Sequence, residues 1–161
     1  MKMTEMIGKA LAVVALLCAS TLAGAQTPYG MPIGLDQAKK AMAAAEAEAK
    51  KNNWPVAIVI VDSGGNMVMM QKLDNTQHAS VDIARGKATT AVNMRRPTKA
   101  LEDGVAAGGV NLRILAVNGI YPLEGGIPLV VDGKIVGAIG VSGVQSGQDA
   151  QCAAAGQAAL K

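Results

Sequence analysis

Val56-Ala57-Ile58-Val59-Ile60-Val61, then Asp62-Ser63-Gly64-Gly65-Asn66, then Met67 to Leu73, is the stretch that decides the architecture. An unbroken apolar run rich in β-branched residues does not alternate, so it predicts a strand buried on both faces. The Asp-Ser-Gly-Gly-Asn segment carries turn chemistry, and the extended pattern resumes after it, which predicts a hairpin.

Working outward toward the N-terminus, Leu35, Ala38, Met42, Ala45 and Ala49 recur at three- and four-residue steps. That spacing predicts an amphipathic helix with Lys39, Lys40, Glu46 and Lys50 toward water. Asn52-Asn53 ends it and Pro55 blocks its continuation. Residues 26–34, with Pro28, Gly30, Pro32 and Gly34, read as an irregular arm.

Toward the C-terminus a second helix is expected from Ser80 to Arg95, burying Val81, Ala84, Ala88 and Ala91 and stopped by Pro97. Thr98 is placed to cap a short helix through Leu101 to Val105, broken by Gly104, Gly108 and Gly109. Arg113 to Val117 reads as a strand. Ile127 to Val131 and Lys134 to Val141 flank Asp132-Gly133, the strongest hairpin signal in the chain. Ser146 followed by Asp149 has the spacing of a capping box, opening an Ala-rich helix through Leu160. Adjacent hairpins and separate helices define an α+β domain with a largely antiparallel sheet.

Composition removes whole classes of function. The chain has 161 residues, is 50% hydrophobic and 17% charged, and holds no Phe, one Trp, two Tyr, one His and two Cys. Such a chain is too apolar for disorder and too poor in aromatics for a base-stacking platform. One His and two Cys cannot build a structural zinc site. Lys2 and Lys9, the apolar run Ala10 to Leu17, and Ala23-Gly24-Ala25 predict a secretory signal peptide over residues 1–25, cleaved after Ala25. The apolar run is too short to span a bilayer. Leu17 before Cys18 argues against lipid modification, so no membrane anchor is expected after cleavage. Cleavage removes two lysines and one glutamate from a net charge of +3, leaving +2. That charge makes no case for nucleic acid. One cysteine then remains, Cys152, and no internal disulfide is possible.

The chemistry-bearing candidates are few. Gly137, Gly140 and Gly143 do not match a nucleotide-binding loop and instead suggest close backbone approach. Glu124-Gly125-Gly126-Ile127-Pro128 reads either as the start of a strand or as a loop that brings bare N–H groups to a ligand. Met67, Met69 and Met70 are soft donors, but Met is also a core gap-filler, which is the expectation here. His78, in a polar loop before the second helix, can ligate iron or stay solvated. Cys152 lies in the Ala-rich helix with no second His to activate it. A Cys-x-x-Cys-His motif for covalent haem is absent.

Several of these segments together resemble the GlcG/HbpS family. They are Val61-Asp62-Ser63-Gly64-Gly65-Asn66, Leu73-Asp74-Asn75-Thr76-Gln77, Ile83-Ala84-Arg85-Gly86-Lys87-Ala88-Thr89-Thr90-Ala91 and Arg96-Pro97-Thr98-Lys99. The likeness continues through Glu124-Gly125-Gly126-Ile127-Pro128 and the run from Asp132 to Gly143, in the family order and over nearly all of residues 33–160. The chain is also similar to the C-terminal domain of PduO-type corrinoid adenosyltransferases. The resemblance implies a profilin-like sandwich, assembly into homo-oligomers, and haem or another tetrapyrrole as ligand, with a corrinoid ranked lower. It implies a pocket bordered by His78 as an axial iron ligand, with Lys87 and Arg96 pairing with propionates. Thr98 would offer a hydroxyl, and Glu124, Gly125 and Gly126 a backbone edge. The expected function is an exported, periplasmic or secreted carrier, scavenger or sensor accessory that binds haem non-covalently. The competing readings are an enzyme or binding protein for a small organic acid or cofactor, and a purely structural oligomer.

Overall fold

The computed structural model describes residues 26–161, so the expected signal peptide lies outside the described residues. Helix α1 spans Leu35–Lys51, strand β1 Ala57–Asp62, β2 Met67–Lys72, helix α2 Ser80–Met94 and helix α3 Lys99–Ala107. A 3₁₀ helix follows at Gly109–Ala116, then β3 Gly126–Val131, β4 Lys134–Ser142 and helix α4 Ser146–Ala158. The strands form one sheet in the order β2-β1-β4-β3, and every neighbouring pair is antiparallel. The expected α+β class is what forms.

The unbroken run on β1 has a direct explanation, because helices cover both faces of the sheet. Val56, Ile58 and Ile60 pack with Ala38, Met42, Ala45, Ala49, Ile139, Cys152 and Ala153, a core shared with α1 and α4. Ala57, Val59 and Val61 point the other way, to Ala84, Ala88, Ala91 and Val92 of α2. The small residues on α2 let it lie directly on the sheet. A Cβ at Gly140 would stand 2.1 Å from the Ala84 carbonyl oxygen, and one at Gly137 would stand 2.2 Å from that of Val61. The glycine spacing therefore serves close packing, as expected from the sequence.

Three local expectations are corrected. Arg113 to Val117 is not a strand. Gly108 and Gly109 both adopt positive φ (72° and 61°), redirecting the chain into the 3₁₀ helix, which has no buried residue and no sheet edge to join. The cap of α4 is Gln145, whose side chain and that of Gln148 form the reciprocal box. Asp149 is thus released for another role. The arm is pinned by one isolated bridge: it pairs parallel to the start of β4, beyond the end of β1, with Gly30 N–H donating to Ile135 O at 2.8 Å and Ile33 N–H to Val136 O at 2.7 Å. Of the three methionines on β2, only Met69 packs on the core. A bulge opposite Ile60/Val61 shifts the register, and Met67 and Met70 remain 49% and 47% exposed.

Candidate functional site

The residues singled out by the sequence fall into three separate places. Lys87, Thr98, Gly125 and Gly126 form a buried knot. Lys87 is 2% exposed, and its ammonium donates to Asp149 Oδ2 at 2.9 Å and to Val141 O at 3.0 Å. Asp149, equally buried, also accepts from Val144 N–H at 3.2 Å. Burial pushes the Asp149 carboxyl above its ordinary value, and the Lys87 ammonium works against that rise. Lys87 is therefore a structural cation tying α2 to α4, and its expected role at a propionate is corrected.

Thr98 does not cap α3 with its side chain. Its hydroxyl oxygen accepts from Gly126 N–H at 2.9 Å, while Thr98 N–H donates to Gly126 O at 3.0 Å. The Gly126 amide expected to face a ligand is consumed in this exchange. A Cβ at Gly126 would stand 2.4 Å from Lys87 O, and one at Gly125 would stand 2.9 Å from both Lys87 Nζ and Asp149 Cβ. The two glycines let β3 approach α2 closely. Glu124 N–H donates to the Glu102 carboxylate of α3, so this segment too is held by the chain itself.

His78 and Arg96 are both exposed, and α2 separates them. His78 precedes the 15-residue helix and Arg96 follows it, which places them about 20 Å apart or more at a rise of 1.5 Å per residue. They cannot share one ligand site within a single chain unless the ligand spans that length.

Arg96 lies on the rim of a cleft of about 370 Å³ between the end of α2, β3 and the end of α4. Its walls are Pro97, Ile127, Pro128, Val130 and Ile135; its charged side chains are Arg95, Arg96 and Lys161, with no acidic side chain among them. The sequence reading missed Arg95 and Lys161. Arg95 ends α2 in the left-handed conformation, φ 51°, which an L-residue other than Asn or Gly rarely adopts. Its guanidinium stacks 5.3 Å from the centroid of the Tyr29 ring. Tyr29 OH donates to Val92 O at 2.8 Å, so the pinned arm fixes this corner. Gln157 closes the far wall through paired hydrogen bonds with Val130, at 2.7 and 3.1 Å. On its other side Arg96 borders a second cleft of about 300 Å³, which adds Arg113, Met94 and Ile114.

Apolar walls under a rim whose charged side chains are all cationic suit a ligand with an apolar body and two carboxylates. A tetrapyrrole with propionates has that chemistry, and the residues present fit its acidic edge. They do not supply an iron ligand: the cleft is lined by no His, Cys or Met.

The fold is an α/β/α-layered domain with an antiparallel sheet. Residues 33–158 match the family model described as haem degrading protein HbpS-like. The chain belongs to that HbpS-like family. It is 42% identical over 101 residues to protein GlcG of Escherichia coli K12, covering 63% of this chain and 74% of GlcG. Its fold is similar to the crystal structure of a double mutant of HbpS from Streptomyces reticuli, with a TM-score of 0.75 and 33% identity, covering 88% of this chain and 95% of that one. It is also similar to a crystal structure of PduOC in complex with haem, with a TM-score of 0.74 and 27% identity, covering 81% of this chain and 96% of that one.

Proposed function

We propose that this protein binds haem or a related tetrapyrrole non-covalently and acts as an exported carrier, scavenger or sensor accessory. The observation that carries the reading is the Arg95–Arg96–Lys161 rim over an apolar-walled cleft. It is supported by membership of the HbpS-like family and by the likeness to a haem complex. The three cations would hold the propionates, and Ile127, Val130 and Ile135 would cover one edge of the macrocycle. When bound, haem supplies a redox-active iron; the chain supplies charge complementarity and exclusion of water.

An axial ligand from His78 requires a second copy, since His78 stands at the far end of α2. Homo-oligomerisation is favoured by the 3₁₀ segment and the residues after it, where Val110, Leu112, Leu115, Val117 and Leu123 are exposed in succession. Export rests on the Lys2-to-Ala25 pattern alone. Spectrophotometric titration of the mature protein with haem tests the reading. A saturable Soret shift that changes position in His78→Ala is expected; an unshifted spectrum in the wild type would overturn it.

A further inference from the structure

A cleft of about 550 Å³ lies at the opposite edge of the sheet, between the end of α1 and the end of β2. We propose that it is a binding site for a neutral saccharide. Trp54, the only tryptophan in the chain, lines it with Leu73. Its position is built into the backbone: Asn53 takes a positive φ of 55°, and Trp54 N–H returns to Ala49 O at 2.9 Å, closing α1. The indole is also packed against the core of α1 and α4, so it presents a fixed surface to the cleft.

The polar side of the cleft has a distinctive charge balance. Glu46 and Lys50 are ion-paired with each other. Lys72 and Asp74 have no ion-pair partner among the described residues and contribute one charge of each sign. The net charge is zero, in contrast to the cationic side chains at the Arg96 rim, so the cleft as a whole favours neither sign of ligand charge. Asn53, Gln71 and Asn75 add three carboxamides, each able to donate and accept. A sugar ring matches both halves of this site. Its C–H face is apolar and stacks on an indole, while its hydroxyls donate to a carboxylate and exchange hydrogen bonds with carboxamides. The volume falls in the range of small-ligand sites.

Because Trp54 is the sole indole, all tryptophan emission comes from this one wall of the cleft. The mature protein is titrated with glucose, galactose and maltose, with N-acetyltryptophanamide as the solvent control. A saturable blue shift with at least one sugar is expected, weakened about tenfold in Asp74→Ala by loss of a charged hydrogen bond and unchanged in Arg96→Ala. Asp74 is exposed, so its replacement leaves the fold intact. No saturable change with any of the three, or equal binding in Asp74→Ala, overturns the proposal. Tighter binding of adenosine or of glucose 6-phosphate than of every neutral sugar overturns it as well.

Discussion

Replacing Lys87 by Met separates a structural cation from a ligand-binding one. The side chain keeps its length, but the ammonium disappears, leaving Asp149 at 2% exposure with no cation beside it and only backbone N–H groups, that of Val144 among them, still donating to it. Removing one partner of a buried ion pair costs about 3–5 kcal/mol, because the remaining charge is desolvated without compensation. For a domain of this size that corresponds to a fall in Tm of roughly 10–20 °C.

The loss has a defined pH dependence. Burial already raises the Asp149 carboxyl, and without Lys87 only backbone N–H groups of the 143–144 segment still work against that rise. A carboxyl whose folded-state value lies above its unfolded one, about 4, binds a proton more readily when folded. Lys87→Met is therefore least destabilised in acid and loses stability as pH rises through the folded value. Urea unfolding followed by far-UV circular dichroism at pH 5 and pH 7 measures this directly. Lys87→Met/Asp149→Leu should recover most of the loss, since an apolar pair of similar volume can replace a buried ion pair. The double variant should also bind haem like the wild type. A cost below about 1 kcal/mol, the range of exposed pairs, or a double variant no better than the single, would refute the assignment.

Gly140→Ala should destabilise by about 3 kcal/mol or more in the same assay, because its Cβ meets the backbone of α2 and not a flexible side chain. The Cys152 thiol is pushed up to about 12 by burial, with Asp149 and Glu48 adding to the rise. It should resist a thiol reagent at pH 8 and react promptly in denaturant. Mild peroxide followed by peptide mass spectrometry should oxidise Met31, Met67 and Met70 while sparing buried Met42.

The sheet was legible because its signals are local. The β-branched run and the Asp132-Gly133 turn each specify a strand reversal within a dozen residues, and both hairpins form. The ladder glycines were legible too, since their absent side chains explain why α2 can touch β4. Long-range pairings left no such trace. Lys87 reads as a surface cation until Asp149, 62 residues later, is brought to it by α4. Thr98 has the chemistry of a helix cap, and the arrival of β3 at Gly126 diverts its hydroxyl. Ile114 and Val117 have strand-like side chains, but the glycines before them set a backbone that no sheet edge receives. The cleft rim shows the same limit, since Arg96 stood in a recognisable motif while Lys161 reaches it only through the course of α4.

The central claim is that propionates dock on the Arg96 rim, and a cycle crossing protein with ligand tests it most directly. Haem and haem dimethyl ester, which lacks the two carboxylates, are each titrated into the wild type and Arg96→Ala. The account predicts that Arg96→Ala weakens haem binding about tenfold to a hundredfold, the range for a charge-assisted hydrogen bond, and leaves the ester unaffected. Equal loss for both ligands, or none for haem, would contradict it.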